Sequence, residues 1–279
     1  MNIALLQTVH NRLYAFTDPE SMSGILSREE ALTLQSDMAQ QTFSLLEQAS
    51  PADLYVTTEA VNYPGQPERL PGPYADYVDA GPLLDRFSRL AHERHAYVAA
   101  GLYQKDAEGR LYNTLTLFDR TGARLASYVK VHLAGSEQRD LTRGTDYVTV
   151  DTAFGRLGLS ICWDMQFPEV CRHYALSGAR LVICPTWGWE SIYSHARAYE
   201  NGIWIAGAMS VPFRSPIEGI RTPSEVIAPD GSVRAVASRD AAQVLLCRLD
   251  LDEMRDLQVL RMHDRRPDTY GRLVTSQTP

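Results

Sequence analysis

Short runs of β-forming residues alternate with longer helix-patterned stretches along the whole chain, and that alternation confines the fold to one mixed α/β domain. The β-type runs are Asn2 to Gln7, Leu54 to Thr57, Tyr97 to Leu102, Leu111 to Phe118, Arg124 to Lys130, Leu157 to Ile161, Leu181 to Pro185, Ile203 to Ala208, Ser224 to Ala228 and Val244 to Leu249. Apolar residues recurring at three and four predict helices over Arg28 to Gln48, Pro82 to Arg94, Pro168 to Ser177 and Ser191 to Asn201. Asp119-Arg-Thr-Gly122 and Pro229-Asp-Gly231 read as hairpin turns, because Gly tolerates the positive φ such turns often require, and they predict antiparallel neighbours. Asn62 to Asp79, rich in Pro, Gly and Tyr, is too irregular for an element and long enough to be functional.

Charge and composition remove several function classes. A net charge of -7 with scattered Lys and Arg gives no electrostatic footprint for nucleic acid. No apolar run approaches the ~20 residues of a membrane helix. The opening MNIALLQTVHN has no basic region before its apolar run, so it reads as a first strand rather than a secretion signal, and a cytoplasmic location is expected. Cys162, Cys171, Cys184 and Cys247 match neither a disulfide scaffold nor a paired metal motif; reduced thiols are expected, three of them as packing residues.

Chemistry-bearing residues stand at the ends of β-type runs. Cys162 closes Gly158-Leu-Ser-Ile-Cys162, with Pro168 able to open a helix shortly after, so a thiol there projects from a strand end beside backbone N–H groups able to hold an oxyanion. Glu59 ends Asp53-Leu-Tyr-Val-Thr-Thr-Glu59, and Lys130 ends Leu125-Ala-Ser-Tyr-Val-Lys130. Singly, each has an ordinary reading as a packed cysteine, a surface carboxylate or a solvated lysine. Together they can converge on one sheet rim, where α/β folds place their sites. Ser127-x-x-Lys130 lies in strand-like sequence rather than at the helix start a Ser-Lys enzyme needs. His92 and His95 are one residue too close for the zinc pair of a helix face, and no metal is expected. A pairing of Cys162 with His132, His173 or His195 is compatible with spacing but leaves Glu59 and Lys130 unexplained. Trp187, Trp189 and Tyr193 read equally as pocket wall and as aromatic core.

Thr58-Glu-Ala-Val-Asn-Tyr-Pro-Gly65, Tyr128-Val-Lys-Val-His-Leu133 and Ile161-Cys-Trp-Asp-Met-Gln-Phe-Pro-Glu169 resemble, in order, the three characteristic blocks of the nitrilase superfamily. Tyr112-Asn113-Thr114, Glu137 before Gly144, Arg197-Ala-Tyr-Glu-Asn201 and Arg265-Arg-Pro-Asp-Thr-Tyr270 extend the likeness over nearly the whole chain; Thr222-Pro-Ser224 departs from the family's usual Gly-x-Ser. The resemblance implies a four-layer αββα sandwich, with Cys162 as nucleophile, Glu59 as general base and acid, Lys130 as cation near the oxyanion and Glu137 as a second, positioning carboxylate. It also implies chemistry without metal or organic cofactor.

Tyr63, Trp163 and Trp187 are the expected substrate contacts, Trp163 through its backbone N–H. Cys162-Trp-Asp164 followed by Phe167-Pro-Glu169 is similar to the amidase and N-carbamoyl hydrolase branch. A small amide or N-carbamoyl compound is the expected substrate, with a nitrile, or a catalytically silent binding protein of the same fold, as alternatives. Residues 1–279 read as a single domain whose segment 261–279 docks on a partner subunit, giving a homodimer or higher homo-oligomer.

Overall fold

The computed structural model describes residues 1–17, 24–211 and 221–275. In chain order the elements are β1 (Asn2–Gln7), α1 (Arg28–Gln48), β2 (Leu54–Val56), α2 (Gly81–Arg94), β3 (Tyr97–Lys105), β4 (Leu111–Phe118), β5 (Arg124–Val129), α3 (Glu137–Asp140), β6 (Thr149–Thr152), β7 (Gly155–Leu159), α4 (Pro168–Leu176), β8 (Leu181–Thr186), α5 (Ser191–Asn201), β9 (Trp204–Met209), β10 (Glu225–Ile227), β11 (Val233–Val236), β12 (Gln243–Arg248) and α6 (Arg255–His263). The described strands form two six-stranded sheets, ordered β12-β1-β2-β3-β4-β5 and β11-β10-β9-β8-β7-β6.

Each sheet has the same plan. A parallel trio, β1-β2-β3 or β7-β8-β9, is flanked by antiparallel strands. Parallel neighbours need long crossovers, and α1, α2, α4 and α5 supply them. Successive side chains of a strand point to opposite faces. Ile3, Leu5, Leu54, Val56, Leu115 and Leu117 of one sheet therefore meet Leu157, Leu159, Leu181, Ile183, Trp204 and Ala206 of the other in the central core. The alternate residues Ala4, Leu6, Val98 and Ala100 pack against Phe43 and Leu46 of α1 and Phe87 and Ala91 of α2. Val182, Cys184 and Ile205 do the same beneath α4 and α5. The result is the expected αββα sandwich.

Local signals account for the helix limits. Ser27 caps α1, its hydroxyl accepting from Glu30 N while its own N–H donates to the Glu30 carboxylate. Pro168 opens α4, and Gly202, at φ +62°, closes α5. The turns at Asp119–Gly122 and Pro229–Gly231 join antiparallel pairs as expected. The sequence reading lacks β6 and β11, whose Thr149-Val-Asp-Thr152 and Val233-Arg-Ala-Val236 are short, α3, which buries no residue, and α6, whose single buried side chain is Gln258.

Gly101 of β3 sets how closely the neighbouring chain approaches. A Cβ there would stand 2.6 Å from Thr58 O and 3.1 Å from Glu59 Cα. Gly101→Ala is expected to cost about 1–3 kcal/mol by overpacking and to displace Glu59. Urea denaturation together with turnover checks this: unchanged stability and unchanged activity would refute the close-approach reading.

Candidate active site

The exits of β2, β5 and β7 bring together residues far apart in sequence. Thr57 N donates to Ala99 O, and Val61 N to Gly101 O, so the chain after β2 stays clamped to β3. Between these bonds Ala60 takes φ +44°, which turns Glu59 inward off the strand line. Asn62 then imitates a ladder residue, donating to Tyr103 O and accepting from Tyr103 N. Lys130 follows β5 on the same face as core residue Tyr128, and its N–H donates to Asn113 O. Glu137 begins α3, where its Oε2 accepts from Ala134 N at 2.9 Å.

These groups form one buried ionic cluster. Lys130 Nζ donates to Glu59 Oε1 and to Glu137 Oε2, both at 2.7 Å. The Lys130 and Glu59 side chains are each 1 % exposed, and Glu137 is 12 % exposed. Asn113 Nδ2 donates to Glu59 Oε1 and Glu137 Oε1, both at 2.8 Å. Glu59 Oε2 is buried and has no hydrogen-bond partner among the described residues.

Cys162 enters a 3-10 turn, Cys162–Gln166, at φ +44°, a conformation that costs a non-glycine residue roughly 1–2 kcal/mol. Buried Asp164 holds that turn, accepting from Ile161 N at 3.0 Å, Tyr128 OH at 2.7 Å and His132 N at 2.9 Å. The backbone N–H of Cys162 points to Cys184 Sγ at 3.1 Å. The thiol itself is met by the Thr186 hydroxyl and the Trp187 backbone N–H at the end of β8.

A cavity of about 250 Å³ joins Cys162 to Glu59, Lys130 and Glu137. Its walls include Tyr63, Tyr74, Tyr103, Leu141 and Trp187. Tyr63 and Trp187 thus stand where expected, in edge contact at 4.8 Å, with Trp187 Nε1 donating to Glu59 O at 2.8 Å. The Trp163 side chain is 41 % exposed and is absent from the wall, because the chain turns immediately after Cys162. Trp189 and Tyr193 are core. Trp189 lies against Gly207 and donates to Glu225, and Tyr193 OH donates to Gly188 O. His132, His173 and His195 are absent from the cavity wall, and His132 faces Asp164 instead.

The profile of the carbon-nitrogen hydrolase family matches residues 26–258. The chain belongs to the carbon-nitrogen hydrolase family. It is 32% identical over 213 residues to a probable nitrilase of Schizosaccharomyces pombe, covering 72% of this chain and 78% of the relative. Human omega-amidase NIT2 is 28% identical over 260 residues, covering 86% and 93%. The crystal structure of an amidase from Nesterenkonia sp. superposes with a TM-score of 0.70 at 26% identity, covering 98% and 96%. Other structures of that amidase carry the acetamide moiety of fluoroacetamide on the active-site cysteine, or butyramide bound to a cysteine-to-alanine mutant.

The electrostatics of this carbon-nitrogen hydrolase favour a neutral thiol beside a proton acceptor. Burial, and then the Glu59 charge, push Cys162 up to about 12, against the pull of Lys130. Burial also raises Glu59, with Lys130 opposing and Glu137 adding to the rise. Burial alone would lower Lys130, but the two carboxylates outweigh it and hold the ammonium charged. The sequence reading gave no role to Asn113, Asp164 or Thr186. Asn113 had a legible signal, since it shares the inward row of β4 with Leu115 and Leu117, and a buried amide requires partners.

A thiol this hard to ionise needs a proton acceptor, and Glu59 is a carboxylate on the same cavity. Glu59→Gln is expected to slow turnover by about 10²–10⁴-fold, read as ammonia release. Unchanged turnover would remove Glu59 from the base role.

Proposed function

We propose that this carbon-nitrogen hydrolase cleaves a small amide or N-carbamoyl compound through a thioester-type intermediate on Cys162. The observation that carries this reading is the buried Glu59–Lys130–Glu137 cluster opening, with Cys162, onto one cavity of about 250 Å³. That volume lies below the usual range of about 300–1,000 Å³ for drug-sized ligands, which favours a small substrate. The ligands of the Nesterenkonia amidase support amides over nitriles.

In the proposed cycle Glu59 takes the thiol proton as Cys162 Sγ bonds to the carbonyl carbon. The carbonyl electrons move to oxygen. Two protons of Lys130 are engaged by Glu59 and Glu137, and the third, with the Trp163 N–H, serves the oxyanion. As the carbonyl re-forms, the C–N bond breaks and the nitrogen leaves with the proton held by Glu59, as ammonia or an amine. Water then gives a proton to Glu59 and its oxygen to the acyl carbon. The C–S bond breaks and Glu59 returns the proton to sulfur.

Ammonia release across aliphatic amides, N-carbamoyl compounds and nitriles tests the substrate class. Amides or N-carbamoyl compounds should turn over fastest; turnover of nitriles alone would overturn the reading. Cys162→Ala should stay folded and lose more than about 10³-fold in rate, while Cys171→Ala and Cys247→Ala retain turnover. Comparable activity in Cys162→Ala would end the nucleophile assignment.

The expected homodimer fits the face formed by α4, α5, α6 and the segment after them. Tyr199, Leu260 and Leu273 are each more than half exposed there, around a groove of about 680 Å³. We place a second copy of the chain on this face, with residues 261–275 contributing to the contact; 276–279 lie outside the described residues. Light scattering should give a dimer for the full chain and dissociation for a truncation ending at Leu260; a monomeric full chain, or a truncation with unchanged assembly, would refute the placement.

A further inference from the structure

The donors around the two carboxylates of the cluster are unequally shared. Glu137 receives four: Asn113 Nδ2 and Tyr103 OH on Oε1, Lys130 Nζ and Ala134 N on Oε2. Glu59 receives two, from Asn113 Nδ2 and Lys130 Nζ, and both fall on Oε1. A carboxylate bonded on both oxygens is held in its charged form, whereas one with a bare oxygen has a place for a proton. Two carboxylates this close cannot compete freely for one proton without making the site ambiguous. Asn113 stands between them and bonds to Oε1 of each. Only its NH₂ end can face both, because the amide oxygen would be repelled by either.

We propose that Asn113 is a positioning residue that ties Oε1 of Glu59 to Oε1 of Glu137 and so leaves Glu59 Oε2 as the atom that takes and returns the proton. Its place in β4 makes this possible. Asn113 O also accepts from Lys130 N, so one residue fixes the backbone that carries the ammonium and the side chains that clamp it. The inference rests on Cys162 as nucleophile and Glu59 as base. It adds the group that ties the two acids together.

The other titratable groups that face Glu59 are Lys130 after β5, Glu137 in α3, Cys162 after β7, Tyr103 on β3, Cys184 on β8 and Tyr14 near the N-terminus. Against this background the two bonds have opposite consequences. The Asn113 amide favours the charged form of Glu59, so its loss raises the pH at which Glu59 ionises. The Glu137 charge disfavours that form, so its loss lowers the same pH.

The test is the pH dependence of iodoacetamide alkylation at Cys162 in the full chain, with peptide mass spectrometry as readout and thermal melting as a fold control. This measurement needs no substrate. Absence of turnover with every amide, alongside an intact alkylation profile, would count against the substrate reading alone. For Asn113→Ala the acid limb should move up by about one pH unit, corresponding to 1.36 kcal/mol, and for Glu137→Gln it should move down. A residue that merely supports the fold would lower the rate at every pH and leave the limb in place. If Asn113→Ala does not fold, Asn113→Ser, which retains one hydroxyl donor, carries the test with a smaller upward shift. An unshifted limb in a folded Asn113 variant, or shifts of the same sign in the Asn113 and Glu137 variants, would overturn the proposal.

Discussion

The ammonium of Lys130 is the interaction around which this site is built. It is fully enclosed, and an enclosed charge is tolerated only when paired and hydrogen-bonded. Its two carboxylate partners come from different segments, the exit of β2 and the start of α3, while Lys130 itself follows β5. One cation therefore draws three chain segments to a single point. Stripping one partner from such a pair typically costs about 3–5 kcal/mol, because the remaining charge stays buried. The cluster is thus coupled to the fold as well as to the chemistry.

Two of the four described non-glycine residues with positive φ stand at the same place. Ala60 and Cys162, both non-glycine residues at φ +44°, follow strand exits on the two sides of the cavity. Each turn aims the group that matters, Glu59 before one and the thiol at the other. Sparsely populated conformations persist where surrounding bonds over-determine them. Trp187 connects the two turns. Its indole N–H holds the Glu59 carbonyl while its backbone N–H meets the thiol. Asp164 fixes the Cys162 turn with bonds to Ile161, Tyr128 and His132. Substrate carbon would thus meet a sulfur, a proton acceptor and a cation already held in place, which is the condition for electrostatic preorganisation.

Much of this was readable along the chain. The ten β-type runs and four helical stretches correspond to observed elements with small shifts at their ends, since apolar periodicity reports which faces are buried. Elements lacking an apolar stripe were not readable: β6 and β11 are held by pairing with β7 and β10, α3 buries no residue, and α6 buries only Gln258, which bonds to Ala175 O and Ala179 O. Of Trp187, Trp189 and Tyr193, only Trp187 reaches the cavity. Trp189 is drawn into the outer core because Gly207 of β9 leaves room for its ring, a contact between a loop residue and a strand that periodicity does not register.

The sequence by itself determined the alternating pattern, the strand ends carrying Glu59, Lys130 and Cys162, and, through their spacing and order, the family. Local propensity and side-chain chemistry are properties of short windows and survive without a structure. Tertiary structure alone decided that Glu59 Oε2 is left bare while every oxygen of Glu137 is bonded, that Asn113 joins the two, and that Trp163 faces outward. The bonds to Glu59 depend on distances of a few ångströms between segments more than fifty residues apart. Hydrogen bonds discriminate between two glutamates at that scale, and no residue type announces in advance which of its oxygens will be reached.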